Sequence, residues 1–189
     1  MDEKPVQLLA NARKSLRSAD ERIEYEDNDY IRNGTASFFM FTEPLSEWCI
    51  ADAEEHRTQK EWAKQINWLL DEQYPDATKV FLVMANLNTY SIASLYQTFP
   101  PEETFRLTKR LEIHYTPMHG SWLDIAEIER SALARQYIVK NRIPDLMTLR
   151  NMLLLWSNDR NKKQQDVIWH FTAEDTRNKL KRLYPTINI

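Results

Sequence analysis

Leu111-Glu-Ile-His-Tyr-Thr-Pro-Met-His-Gly-Ser-Trp-Leu-Asp-Ile-Ala-Glu-Ile-Glu129 is the stretch that decides how this chain is read. Leu111, Ile113 and Tyr115 alternate with Glu112 and His114, the period of two expected of a strand. Pro117 and Gly120 mark a turn, and from Leu123 the pattern becomes that of a helix running to Lys140. Carboxylates therefore stand at a strand-to-helix junction. Asp124 and Glu127, three residues apart, share a helical face.

Upstream of this junction the signals alternate between strand and helix. Residues 11 to 33 are charged, with few apolar positions, and read as a mobile arm or long loop. Thr35 to Pro44 is rich in strand formers, and Trp48 to Ala53 reads as its hairpin partner. Thr58-Gln-Lys-Glu61 is a capping-box pattern that opens a helix with Trp62, Ile66, Leu69 and Leu70 at helical spacing, stopped by Pro75. Val80 to Met84 is continuously apolar, as expected of a parallel strand covered on both faces. Ile92, Leu95, Tyr96 and Phe99 predict one side of a further helix, and Glu102 to Arg110 a short one after Pro100-Pro101.

Downstream the pattern is mostly helical. Pro144 opens a helix with Leu146, Leu149, Leu153 and Trp156 on one face. Val167, Trp169 and Phe171 alternate briefly, and Thr172-Ala-Glu-Asp175 caps a last, basic helix. A hairpin followed by helix, buried strand, helix, strand and terminal helices is the order of a ribonuclease H-like α/β fold, a mixed sheet flanked by helices.

Composition limits the function classes. The 189 residues, 42% hydrophobic and 28% charged, suffice for one domain with a sizeable core but not for two. Six Trp, eight Tyr and seven Phe argue against disorder. A net charge of -3 gives no general attraction to nucleic acid, so DNA contact requires a local basic face. Cys49 is alone, which excludes a disulfide framework and a multi-thiolate zinc site and suits a reducing compartment. With Gly34 and Gly120 as the glycines, a phosphate-cradling loop is excluded, and neither G-x-S-x-G nor H-E-x-x-H occurs. There is no apolar run of about 18 residues and no signal-peptide pattern, so a cytoplasmic protein is expected.

Short motifs in order carry a more specific reading. Asp2-Glu-Lys-Pro5, Gly34-Thr-Ala, Asn86-Leu-Asn-Thr89, Ala93-Ser-Leu-Tyr96, Phe99-Pro-Pro-Glu102, His114-Tyr-Thr-Pro117, His119-Gly-Ser-Trp-Leu123, Ala126-Glu-Ile-Glu129 and Lys179-Leu-Lys-Arg-Leu-Tyr-Pro185 span nearly the whole chain. Together they resemble the catalytic domain of bacterial insertion-sequence transposases of the mariner-related branch, the DDE superendonucleases. The resemblance implies metal-dependent DNA cleavage and strand transfer in transposition. In that family two aspartates and a glutamate hold two Mg2+ or Mn2+ ions, roughly 3.5–4 Å apart, which activate water or a DNA 3′-hydroxyl.

By position the first aspartate is Asp2 and the glutamate Glu127, while the second aspartate falls on Ala85, which offers no oxygen. Three further departures lie nearby: Tyr90, Met118 and Asp124 stand where the family has His, Lys and Asn. The resemblance thus implies a degenerate site with weak metal binding. Asp124 is either a substitute ligand or a helix N-terminal acid favoured by the helix dipole. Candidate DNA contacts are Lys4, His119, Lys179, Lys181 and Arg182; the ordinary reading of the last three is a solvated helix face, and of His114 and His119 surface and turn positions.

The family also carries an N-terminal helix-turn-helix region and a strand leading into the first aspartate, so a truncated domain is expected, with non-specific DNA binding, nucleoid association when on DNA, and a homodimer that covers the open sheet edge. The alternative is a non-catalytic remnant that binds DNA or protein.

Overall fold

The computed structural model describes residues 1–13, 16–17, 24–25, 29–85, 90–117, 124–163, 172–179 and 181. The fold is mixed α/β. Strands β1 (Asp2–Asn11), β4 (Tyr30–Glu43) and β5 (Trp48–Glu54) form an antiparallel sheet in the order β1-β4-β5; β2 (Leu16–Arg17) pairs with β3 (Glu24–Tyr25); and β6 (Val80–Met84) runs parallel to β7 (Leu111–Tyr115).

The β1–β4 ladder runs from Asp2 opposite Met40 to Asn11 opposite Tyr30, with an irregularity between Gln7 and Leu9. Pro5 sits within β1 and has no N–H to give, which an edge position tolerates. β4 is the central strand, and its side chains alternate between two cores. Phe39 and Phe41 join Trp62, Ile66, Leu70 and Leu95 on one side. Phe38 and Met40 join Leu133, Leu149, Leu153 and Trp156 on the other.

Helix α1 (Gln59–Trp68) starts at the expected capping box: Thr58 Oγ1 accepts from Lys60 N at 3.3 Å and Glu61 accepts from Thr58 N at 3.2 Å. It ends in a π turn over Leu69–Gln73. α2 (Ile92–Thr98) and α3 (Pro101–Arg110) follow, and α2 packs against α1. α4 (Ile125–Leu133) lies against β4 and β1, α5 (Leu146–Lys163) packs on β5, and α6 (Ala173–Lys179) is capped through Thr172 and Asp175.

Several expectations are corrected. β4 begins at Tyr30 rather than Thr35, because residues 30–32 extend the ladder with β1. The stretch expected to be an arm thus has strand residues at Asn11 and at 30–33, and a short bridge between 16–17 and 24–25; positions 14–15, 18–23 and 26–28 lie outside the described residues. The helix expected from Leu123 to Lys140 is α4 followed by a π turn over Ala134–Ile138. α5 begins at Leu146, two residues after Pro144.

Tyr96 is exposed rather than part of the buried side of α2, since Leu95 takes the core position. β6 is covered on one face, not two: Leu82 and Met84 are buried, while Phe81 and Val83 are 65% and 48% exposed. The alternation expected at Val167, Trp169 and Phe171 lies outside the described residues.

The pairing that holds α4 in place is Glu129 with Arg160 of α5. The guanidinium donates through Nε at 3.1 Å and NH2 at 2.7 Å to a buried carboxylate. Removing one partner strands a buried charge, so Arg160→Ala is expected to lower stability by about 3 kcal/mol. Urea unfolding monitored by far-ultraviolet dichroism measures it, and a loss below about 1 kcal/mol would show the pair to behave as a surface contact.

Candidate active site

Three elements meet where β1 begins. The terminal ammonium of Met1 is buried and donates to the carbonyl of Val83 at 2.7 Å, which brings the end of β6 beside the start of β1. Ala85 follows β6 directly, and the loop end is fixed by Thr116 N donating to Met84 O at 2.9 Å. Helix α4 starts against the same place, because the Met1 ammonium also lies 3.7 Å from Asp124 Oδ1.

Asp124 is the N-cap of α4. Its Oδ1 accepts from Ala126 N at 3.0 Å, which answers one of the open amides of the first turn. Its Oδ2 is buried with no hydrogen-bond partner among the described residues. One turn on, Glu127 is more open, with its side chain 38% exposed.

Asp2 is the first residue of β1, and its Oδ1 accepts from Glu3 N at 2.8 Å. Its Oδ2 lies 2.5 Å from Arg130 Nε, a contact of charge with charge rather than an aligned hydrogen bond. The same guanidinium donates from NH2 to Glu127 Oε1 at 3.2 Å. Arg130 therefore lies between the two carboxylates singled out from the sequence.

The electrostatics follow from burial. Asp2 is pushed above the usual aspartate value, first by loss of water and then by the charge of Glu127, against the pull of Arg130. Asp124 is raised chiefly by burial, and the Met1 ammonium is lowered by it. Glu3 is raised by burial and by Asp2, and its partner Arg57 is distant at 3.9 Å and largely solvated.

Asp2, Asp124 and Glu127 are thus brought together, and Ala85 is delivered to the same end of the sheet by β6. Lys4 stands two residues along β1 from Asp2, half-buried, opposite Phe38. Lys179 ends α6 and is exposed, as is Lys181; His119, Met118 and Arg182 lie outside the described residues. Tyr90 is a core residue: its ring stacks on Trp62 at 5.5 Å and its hydroxyl donates to Arg57 O at 3.2 Å.

Two participants were not singled out from the sequence. Arg130 carried a local signal, since it lies three residues beyond Glu127 on one helix. The Met1 ammonium carried none.

A family model described as DDE superfamily endonuclease matches residues 1–150. The chain belongs to that family. Membership assigns a transposase-type nuclease domain, with DNA as the substrate class. No match was found among curated proteins or among solved structures. No helix among the described residues is long and apolar enough to cross a membrane.

Divalent ions are typical of this superfamily, but the residues present do not fit them. Among the described residues no three acidic, histidine or cysteine side chains converge as ligands of one ion. Ala85 supplies no oxygen, and the charges of Asp2 and Glu127 are already met by Arg130. What the arrangement does chemically is neutralise itself with its own cations.

A carboxyl whose folded pKa is raised contributes stability below its ordinary pKa, and that contribution is lost as the pH rises through the folded value. Glu3→Gln is therefore expected to raise the melting midpoint at pH 7 and to lose that advantage near pH 4. Scanning calorimetry at the two pH values decides it; a variant less stable than the parent at pH 7 contradicts the burial argument.

Proposed function

We propose that this chain is a transposase catalytic domain of ribonuclease H-like fold, descended from a bacterial insertion-sequence enzyme of the mariner-related branch, and catalytically silent as written. The observation that carries the reading is Arg130 bridging Asp2 and Glu127 while Ala85 stands at the end of β6. An ion entering here has to displace a guanidinium from a half-buried pair and finds two carboxylates where the two-metal mechanism needs three. Mg2+ or Mn2+ binding is accordingly weak.

The ribonuclease H-like reading is supported by the antiparallel β1-β4-β5 sheet, the parallel β6–β7 pair and the acid-bearing helix α4. Asp124 is spent as a helix cap and as the partner of the Met1 ammonium, which favours the capping reading over that of a substitute ligand. The alternative, a non-catalytic module retained for binding DNA or protein, is favoured by the same self-neutralised site. DNA contact in either case is non-specific, weak and salt-dependent, since the net charge is -3. Lys4, His119, Lys179, Lys181 and Arg182 remain the proposed phosphate contacts, and the site of action is the cytoplasm, on the nucleoid when DNA is bound.

The test is a pair of variants. Ala85→Asp restores the third carboxylate but leaves Arg130 in place, so little gain in Mn2+ binding is expected. Ala85→Asp with Arg130→Gln frees both acids, and Mn2+ affinity measured by calorimetry is expected to rise at least about tenfold, which is 1.4 kcal/mol. Metal-dependent nicking of supercoiled plasmid should appear with the double variant first. Equal Mn2+ affinity of the two variants would remove Arg130 from the explanation.

A homodimer belongs to the same proposal. It is supported by Met147, Leu154 and Leu155, which share one side of α5 and are all more than half exposed. Leu155→Lys is then expected to shift the mass in light scattering from dimer to monomer. A parent chain that stays monomeric over a wide concentration range refutes it.

A further inference from the structure

β5 is the last strand of its sheet, and side chains of α5 answer its outer edge. Cys49 N donates to Asn161 Oδ1 at 2.9 Å, and Asn161 Nδ2 donates to Cys49 O at 2.8 Å. Ala51 N donates to Ser157 Oγ at 3.2 Å, and Arg150 Nε donates to Ala53 O at 2.8 Å. Strand residues turn their backbone groups alternately to the two sides, so Cys49, Ala51 and Ala53 face outward while Ile50 and Asp52 serve the ladder with β4. Asn161 thus makes the double contact, one donor and one acceptor, that a residue of a neighbouring strand would make.

The match runs along the strand. From Arg150 to Asn161 the helix rises about 16 Å, and from Ala53 to Cys49 the strand rises about 14 Å, so the two lie side by side in opposite directions. The outward residues are also small ones. Cys49, Ala51 and Ala53 are buried in one cluster with Leu149, Leu153 and Trp156, and their size lets the helix come close enough for short side chains to reach the backbone. Arg150 extends past the edge to Asp52 Oδ1 at 3.5 Å and Glu54 Oε2 at 3.3 Å, which belong to the other face.

Uncovered, this edge is suited to pair with itself. β5 carries no Pro, no Lys and no bulge in its ladder with β4, so cover by a helix is the safeguard it has. In an antiparallel pair of two copies centred on Ala51, Cys49 faces Ala53, Ile50 faces Asp52 and Trp48 faces Glu54, and no like charges stand opposite each other. We propose that α5 takes the place of a neighbouring strand, and that Arg150, Ser157 and Asn161 withhold β5 from antiparallel pairing with β5 of a second copy. Pairing requires α5 to lift, beginning with its last turns, which Ser157 and Asn161 hold to the strand. This goes beyond the nuclease reading and does not depend on the state of the acidic site.

The experiment uses the full chain carrying Leu155→Lys, so that a dimer formed through the outer side of α5 does not enter. Ser157→Ala with Asn161→Leu is expected to speed amide exchange at Cys49 and Ala51 at least about tenfold, with Ile50 and Asp52 unchanged. At moderate urea the mass of this variant in light scattering is expected to rise with protein concentration, while that of the chain without the pair stays constant. Adding Ile50→Asp sets like charges opposite each other and is expected to abolish the association. Adding Ile50→Lys, which disturbs the same packing but faces Asp52 with an opposite charge, is expected to keep it. Equal acceleration at all four amides, no association, or association indifferent to Ile50→Asp overturns the proposal. Should the double variant fail to fold, Ser157→Ala alone decides: faster exchange at Ala51 than in the parent, with Ile50 unchanged, is expected, and its absence overturns the proposal.

Discussion

The buried ammonium of Met1 joins two sheets that share no ladder. β1-β4-β5 and β6-β7 are separate in their hydrogen bonding, and the bond from Met1 to Val83 O fixes one against the other at the point where the acidic residues gather. The same nitrogen faces Asp124, so the start of α4 is held to that point too. A charged group in so dry a place is stable only with a close acceptor and a counter-charge, and it has both. It thus adds a fixed point for β1, β6 and α4 at the candidate site, beside the packing of α4 on β4 and β1 and its ion pairs.

Around that point like charges would repel if they were left alone. Asp2, Glu3, Asp124 and Glu127 are crowded enough to raise the pKa of three of them, with burial as the first cause. The chain answers with cations of its own, Arg130 for Asp2 and Glu127 and the ammonium for Asp124. In the two-metal mechanism that balance is supplied by ions, which also act on the phosphodiester. A guanidinium supplies charge and hydrogen bonds but no open coordination position. The absence of a carboxylate at Ala85 and the pairing of Arg130 with both Asp2 and Glu127 are consistent with each other.

Phe81 and Val83 are exposed because, among the described residues, nothing covers that face of β6, although the run Val80 to Met84 reads as a strand covered on both faces. Sequence hydrophobicity registers what a strand is able to bury, whereas exposure depends on whether a neighbour is there.

Much of the local structure was legible. The hairpin, the capping box at Thr58, strand β6, helix α3 and the alternation of β7 all rest on interactions between residues close in sequence, where period, capping and turn chemistry act directly. The ordered motifs led to the DDE family and to Asp2, Ala85 and Glu127 as the positions to compare, and the family match over residues 1–150 supports that family reading. Pairings between distant residues were not legible. Nothing in the sequence around Asp2 points to Arg130, which is far along the chain; nothing about Asp124 shows that its Oδ2 is buried without a partner; and the π turns after α1 and α4 carry no breaker residue at their starts. The sequence by itself determined the elements and the family because both are written in local pattern and order. Only the tertiary structure decided that the acids are paired with Arg130 and the Met1 ammonium and that one face of β6 keeps Phe81 and Val83 exposed, because charge pairing and face coverage depend on which distant groups meet.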